Sequence, residues 1–229
     1  MAGRAIRGGG VRVWTYVIVN DAGVAPNSES PAATLAICKP RIRKAAVPGD
    51  MVLAFSGRRL SPEPHSVCWA GIIGEVLDFA SYWNDKRFQG KKPSRSKTPD
   101  NIYRPTPSGV VQVKNPSHTA ENQDSDLGGR HVLVFRRYWY FGASAPVLPD
   151  AYGLRMVGGR RGHRLRDIGE AASVRLIEWL NSRSKETRIP GRTLVLERGI
   201  GRATRCGHAR SRSSLLESSK ARKRRLCPD

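Results

Sequence analysis

The stretch VRVWTYVIVN, residues 11–20, decides the fold class of this chain. β-Branched and aromatic side chains fill it, and such residues favour the pleated, half-buried surface of a β-strand. Similar runs follow at residues 34–38 (TLAIC), 51–55 (MVLAF), 67–77 (VCWAGIIGEVL) and 131–137 (HVLVFRR). These runs predict a β-sheet in which residues 11–20 form the first strand.

Other segments predict how the sheet is curved and covered. Gly71 and Gly74 indicate a bulge or tight curvature within the run 67–77. A short helix is expected over residues 78–87. The clearest helix is expected over residues 170–182, because its apolar side chains recur at helical spacing: Ala172, Leu176, Trp179 and Leu180. We therefore predict an α+β fold: a curved, mostly antiparallel β-sheet, or a PUA-like barrel, with flanking helices.

Composition divides the chain into three parts. We expect a flexible N-terminus over residues 1–10, one domain over residues 11–183 and a basic, disordered C-terminal arm over residues 184–229. Residues 188–229 hold twelve Lys and Arg against three Asp and Glu. A DNA-binding arm and a shifted reading frame both account for that composition. Residues 90–129 are mostly polar, and a loop of that length in a compact domain is either mobile or functional.

The charge of the chain indicates a polyanionic partner. Forty Lys and Arg against nineteen Asp and Glu give a formal net charge of +21, and the sequence pI is near 10.9. Such a field attracts nucleic acids and releases counterions from their phosphates on contact. An Arg-rich composition without any partner is the other explanation. We favour nucleic acid, and DNA over RNA.

Several classes of protein are disfavoured by the sequence. No run of about 18 apolar residues predicts a membrane span. The N-terminus has no apolar segment of the signal-peptide kind, and the four cysteines are far apart, which indicates a reducing, cytoplasmic compartment. Cys38 and Cys68 lie in apolar runs and are expected to be small core residues. No metal site, cofactor or Cys/His dyad is predicted from spacing.

The basic segment KPRIR, residues 39–43, is a candidate phosphate-binding strip. In an extended connector, alternate residues share a side, so Lys39, Arg41 and Arg43 would face one groove. A solvated charged edge that blocks strand pairing is an equally good explanation.

The segment YWNDKRFQGKKP, residues 82–93, interleaves aromatic and cationic side chains. Bases stack on rings while cations contact phosphates, so Tyr82, Arg87 and Lys92 suit a single-stranded or flipped nucleotide. The alternative is that Trp83 and Phe88 are buried anchors of a loop.

Two histidines are candidates for proton transfer. His163 lies in GGRRGHR, residues 158–164, whose backbone amides could hold an anion and whose Arg164 could contact a phosphate. His118 lies in NPSH within the long polar segment. A lone histidine is more often structural. Asp21, Asp50 and Asp85 stand in turn-like settings, where caps and turn residues are commoner than catalysts.

Seven phrases in the same order resemble the second type of the nucleotide modification associated domain family. They are VNDAGVAPN (19–27), TLAICKPRIRKAAVPGD (34–50), YWNDKRFQGKKP (82–93), DNIY (100–103), NPSH (115–118), YFG (140–142) and GHR (162–164). The sequence departs from the family pattern at NSESPAA, residues 27–33, and at Thr98-Pro99. The resemblance covers residues 13 to about 180.

That family is associated with systems that modify bases in DNA, largely in bacteria and phages. The resemblance implies one shared site made of Asn20, Asp21, Asn27, Lys39, Arg41, Asp85, Arg87, Asn101, Tyr103, His118 and His163. Other proteins of such a system are possible partners.

From this resemblance and the charge we expect a nucleic-acid-binding component of a base-modification pathway, which recognises or processes a modified nucleotide. Lys39, Arg41, Arg43 and Arg164 would bind phosphates, Tyr82 and Tyr103 would stack a base, and His163 would recognise the base or transfer a proton. A non-catalytic PUA-like reader and a charge-driven RNA- or ribosome-associated protein are the alternatives.

Overall fold

The computed structural model describes residues 10–61, 63–154 and 162–183. The predictions for residues 1–9, for the glycine-rich segment 158–161 and for the basic arm 184–229 fall outside the described residues.

Eight strands and four α-helices make up the regular structure of the described ranges. The strands are β1 (Gly10–Ile18), β2 (Thr34–Leu35), β3 (Met51–Ser56), β4 (Val67–Asp78), β5 (Tyr103–Thr106), β6 (Gly109–Gln112), β7 (His131–Tyr140) and β8 (His163–Gly169). The α-helices are α1 (Pro40–Ala45), α2 (Phe79–Asn84), α3 (Gln123–Leu127) and α4 (Glu170–Arg183). Short 3₁₀ turns cover Lys86–Lys91, Ala120–Asn122, Gly142–Ser144 and Asp150–Tyr152. None of the helices in these ranges has the length and apolar character needed to cross a membrane.

Six strands form one mixed sheet in the order β2-β7-β4-β3-β1-β8. All neighbours are antiparallel except β1 and β3, which run parallel with Val13 opposite Met51. The mostly antiparallel α+β fold expected from the sequence is therefore confirmed. The barrel alternative is wrong for the described part of the chain, because β2 and β8 stay at opposite edges. β2 is only two residues long, and α1 begins after a short connection, at Pro40.

Of the bulge or tight curvature predicted from the glycines of β4, the bulge is confirmed. The register between β4 and β7 shifts between Ile72 and Ile73 and again between Ile73 and Glu75. A Cβ on Gly71 would lie 2.5 Å from Cδ1 of Phe135, so only glycine lets β4 approach β7 so closely here.

The sheet buries a different cluster on each face. The first face packs against α4, and its core includes Val13, Leu53, Phe55, Leu176 and Leu180. The apolar stripe predicted on that helix is therefore core packing, as expected. The second face packs against α1 and holds an aromatic cluster that includes Tyr16, Trp69, Phe135 and Ile42.

A third cluster lies beside the β2 edge of the sheet and includes Val132 and Val134 of β7. It packs Tyr82, Phe88, Ile102 and Tyr103 against Ile37. Much of the long polar segment 90–129 is therefore ordered, since it contains the β5–β6 hairpin and α3.

Candidate functional site

The turn that follows β2 has an unusual backbone. Cys38 and Lys39 both adopt left-handed conformations, with φ of 59° and 46°. Pro40 then starts α1, where its fixed φ suits the first helical position. The prediction of an extended connector at residues 39–43 is therefore wrong. Because successive helical residues rotate by roughly 100°, Arg41 is exposed while Arg43 is fully buried.

Arg43 ties three backbone segments together from the inside. Its Nε donates to the Cys38 carbonyl at 2.7 Å, and its two terminal nitrogens donate to the carbonyls of His131 at 2.7 Å and Asp126 at 2.5 Å. Burial lowers the pKa of Arg43, and the nearby Asp126 carboxylate opposes that shift. A guanidinium held in this way is unable to reach a phosphate, so the prediction for Arg43 is wrong.

Asp126 links this arginine to a histidine and a cysteine. Its Oδ2 lies 2.5 Å from Nδ1 of His118, and Nε2 of the same ring lies 3.3 Å from Sγ of Cys38. Its Oδ1 accepts the backbone N–H of Cys38 at 2.7 Å. All three residues are buried, with 8% of Cys38, 3% of His118 and none of Asp126 exposed. Residues far apart in sequence thus meet as a Cys–His–Asp group.

The two tyrosines expected to stack a base are interior residues. The Tyr103 hydroxyl donates to Asp126 Oδ2 at 2.9 Å, and its ring packs 5.1 Å from the Phe79 ring. The Tyr82 hydroxyl donates to Asp100 at 2.7 Å. Each tyrosine is 1% exposed, and burial raises the pKa of both hydroxyls. The stacking prediction is wrong for both, because neither ring has a free face.

A second buried network surrounds Lys91, whose Nζ donates to Asn27 Oδ1 at 3.1 Å and to Thr34 Oγ1 at 2.9 Å. Burial lowers the pKa of Lys91 to about 8. Asn101 is also buried and donates from Nδ2 to the Tyr82 carbonyl at 3.1 Å. Asn27 and Asn101 therefore hold the fold together at this edge.

A row of side chains crosses the second face of the sheet. Strand register aligns five positions on β8, β1, β3, β4 and β7, which are His163, Tyr16, Ala54, Trp69 and Tyr140. We call these five residues the aromatic row. The Trp69 indole donates to the Tyr16 hydroxyl at 2.9 Å.

Asp21 closes the β7 end of the aromatic row. It accepts the Tyr140 hydroxyl and the Cys68 thiol, the latter at 3.7 Å. Burial, together with the Asp21 carboxylate, raises the pKa of Cys68 to about 12. Asn20, also predicted for the site, precedes Asp21 and is partly exposed.

The β8 end of the aromatic row is basic. Nζ of Lys39 lies 4.4 Å from the Tyr16 ring centroid, and the His163 ring lies 5.8 Å from the Trp14 ring. Partial burial lowers the pKa of His163, and the charges of Arg41, Arg164 and Lys39 lower it further. We call Lys39, Arg41 and His163 the basic face. They come from two segments more than 100 residues apart in the chain.

The side chain of Arg164 lies on the other face of the sheet from that of His163. In the β1–β8 register it is opposite Thr15, whereas His163 is opposite Tyr16. Since side chains alternate along a strand, Arg164 and His163 point to opposite faces of the sheet. Arg164 is therefore not part of the basic face, although its charge acts on His163.

The remaining predicted residues lie elsewhere. Arg87 is exposed and pairs with Glu75 and Asp85, both at 2.7 Å, and Nζ of Lys92 lies 3.9 Å from the Trp83 ring centroid. Asp50 accepts the Trp14 indole N–H at 2.8 Å, which is a structural role. Two shallow depressions of about 190 and 490 Å³ are lined by residues around Arg87 and around Arg58, and neither is lined by Cys38, His118 or His163.

Sequence reasoning missed Cys38 and Asp126 as members of a site. Cys38 is expected from the sequence to be a core residue, and no role is predicted for Asp126. One signal could have pointed to this pair: Cys38 and His118 both lie in phrases that carry the family resemblance.

A comparison with known families confirms the resemblance that those phrases indicate. The family profile described as nucleotide modification associated domain 2 matches residues 11–193. No curated protein and no solved structure matches the chain. The match spans the six-stranded sheet, α4 and every contact described above, so this chain belongs to the nucleotide modification associated domain 2 family.

Proposed function

We propose that this protein is the nucleic-acid-binding component of a base-modification pathway and that the basic face holds a nucleotide. The observation that carries the proposal is the convergence of Lys39 and Arg41 with His163 above Trp14 and Tyr16. Membership of a family associated with nucleotide modification supports it, and so does the net charge of +21.

The three residues of the basic face offer complementary chemistry. Lys39 and Arg41 supply positive charge for phosphates. A lowered pKa keeps His163 neutral near pH 7, so its ring offers one hydrogen-bond donor and one acceptor to a base edge. Trp14 is 4% exposed and Tyr16 fully buried, so they support Lys39 and His163 from beneath and leave the contacts with the nucleotide to the basic face.

A charge-removal experiment tests this proposal. Labelled single-stranded DNA is titrated with the full chain at several salt concentrations, and affinity is read by fluorescence anisotropy. The Lys39→Gln/Arg41→Gln variant should lower the salt slope by roughly 1.4, since each phosphate contact on a single strand contributes about 0.7.

The matched control removes the same charge elsewhere. Arg58→Gln/Arg104→Gln changes two exposed arginines that lie outside α1 and β8, one after β3 and one in β5, and should leave the slope unchanged. Equal slopes for both double variants would mean that binding is spread over the whole basic surface, as for a charge-driven RNA- or ribosome-associated protein.

His163→Asn separates recognition from processing. Loss of discrimination between modified and unmodified oligonucleotides would assign base recognition to His163. A reader keeps most of its affinity, whereas an enzyme that uses His163 for proton transfer still binds but no longer converts its substrate. Absence of any saturable, base-sensitive binding by the unsubstituted chain would refute the proposal.

A further inference from the structure

The Cys–His–Asp group has the geometry of a nucleophilic relay, and nothing in the proposed binding function uses it. We propose that Cys38, His118 and Asp126 form a catalytic triad that cleaves an acyl bond, an amide or an ester, through a thioester on Cys38. The two contacts that carry this inference are Sγ to Nε2 at 3.3 Å and Nδ1 to Asp126 Oδ2 at 2.5 Å.

Hydrogen bonding at Asp126 sets the tautomer of His118. The two oxygens of Asp126 accept the Cys38 N–H and the Tyr103 hydroxyl, and the Arg43 guanidinium lies 3.9 Å away. Both oxygens of Asp126 therefore act as hydrogen-bond acceptors. A carboxylate beside Nδ1 requires the proton on Nδ1, which leaves the Nε2 lone pair facing the Cys38 thiol. Nε2 is therefore placed to accept the thiol proton.

The same contacts argue against a metal site. The ring presents Nδ1 to Asp126 and Nε2 to Cys38, so the three side chains share no common point at which one ion could be bound. Within the described ranges, no group of His, Cys, Asp and Glu side chains is arranged to hold a metal. A histidine held between a carboxylate and a thiol in this way is the arrangement of a proton relay.

The backbone presents Cys38 as a nucleophile. It occupies a left-handed position in a sharp strand–turn–helix connection between β2 and α1, the kind of strained turn on which nucleophiles of hydrolases are carried. Arg43 fixes its carbonyl and Asp126 fixes its N–H. Cys38 is the least buried of the three residues, at 8% exposed against 3% for His118 and none for Asp126, so we expect a substrate to approach the triad from the Cys38 side.

The proposed reaction needs only water as a second substrate. His118 takes the thiol proton, Sγ attacks the acyl carbon, and the C–N or C–O bond breaks as His118 returns the proton to the leaving amine or alcohol. Water then attacks the thioester with His118 as base, which releases a carboxylic acid and restores the thiol. Asp126 is a positioning residue, since it acts through the His118 ring.

An acyl-transfer assay without nucleic acid tests the triad independently of the proposed binding function. The full chain carries Cys206→Ser and Cys227→Ser, so that Cys38 and Cys68 are its only thiols. Reaction with p-nitrophenyl acetate should give a burst of nitrophenolate and an acetyl group on Cys38, which peptide mass spectrometry locates after acid quenching.

Variants distinguish a catalytic relay from a cluster that only stabilises the fold. Cys38→Ser should abolish the burst, and His118→Asn should slow it by about 100-fold or more. His65→Asn is the matched control, because His65 has φ of 61°, a conformation that asparagine tolerates, and it lies outside the triad. Acetylation of Cys68 in place of Cys38, or an unchanged burst in folded His118→Asn, would overturn the proposal.

A second measurement uses the chain with His118 unchanged, so its result does not depend on whether a variant folds. Iodoacetamide labelling of Cys38 should remain fast below pH 7, because His118 draws the proton from the thiol, while Cys68 should react at least 100-fold more slowly because its pKa is about 12. Equal labelling rates at the two cysteines would likewise exclude an activated Cys38.

Discussion

Replacing Arg43 with alanine tests whether this residue is a buried structural tie or a surface phosphate ligand. Its guanidinium makes three charged hydrogen bonds to the carbonyls of Cys38, Asp126 and His131 within a fully buried site. Removal leaves three interior carbonyls and a buried carboxylate without this partner. Losing one member of such a buried group costs about 3–5 kcal/mol. That loss is a large fraction of the roughly 5–15 kcal/mol by which domains are stable.

Urea unfolding followed by circular dichroism measures the effect. Arg43→Ala should reduce the free energy of unfolding by about 4 kcal/mol, while Arg41→Gln on the exposed side of the same helix should change it by less than about 0.5 kcal/mol. Arg43→Lys should recover only part of the loss, since one ammonium lacks the planar fork that reaches three carbonyls. A loss below about 1 kcal/mol for Arg43→Ala, with weakened DNA binding, would refute the structural assignment.

Two further predictions concern packing and pH. Gly71→Ala should destabilise the protein by about 1–3 kcal/mol, since the new Cβ would lie 2.5 Å from the Phe135 ring. Thermal unfolding measures the effect, and the control is Gly90→Ala, whose Cβ would have nothing within 4 Å. The folded-state pKa of Lys91 is lowered from 10.5 to about 8, so the unfolded chain binds more protons between these values and stability should rise with pH across that window. The rise should be about 1.5 kcal/mol from pH 8 to 9.5 in urea unfolding, and its persistence in Lys91→Met would contradict the burial argument.

The parts of the fold that sequence predicted well are those in which a repeating pattern sets burial. β1, β3, β4 and β7 follow their β-branched and aromatic runs, and α4 follows its apolar stripe. The register that brings Tyr16, Trp69 and Tyr140 into one row depends on strand order, and strand order is decided by contacts between distant segments. No local pattern encodes that pairing.

The candidate site was harder to predict, because residue type does not reveal which side of a helix or turn faces the core. Lys39, Arg41 and Arg43 were treated as equivalent cations in an extended strip. Pro40 at the first helical position converts that strip into α1 and moves Arg43 into the interior. Tyr82 and Tyr103 were misjudged for a related reason, since aromatic residues beside cations are as suited to a polar core network as to a base.

The left-handed turn at Cys38 and Lys39 joins the two proposed activities through one peptide bond. Cys38 directs its sulfur inward to His118, while Lys39 directs its ammonium outward over the Tyr16 ring. Both residues depend on the same tie, because Arg43 holds the Cys38 carbonyl that belongs to this peptide. Weakening that tie should therefore disturb acyl transfer at Cys38 and nucleotide binding at Lys39 together. Substitution of Arg41, which is exposed on the far side of α1, should affect binding alone, and this difference separates a shared site from two independent ones.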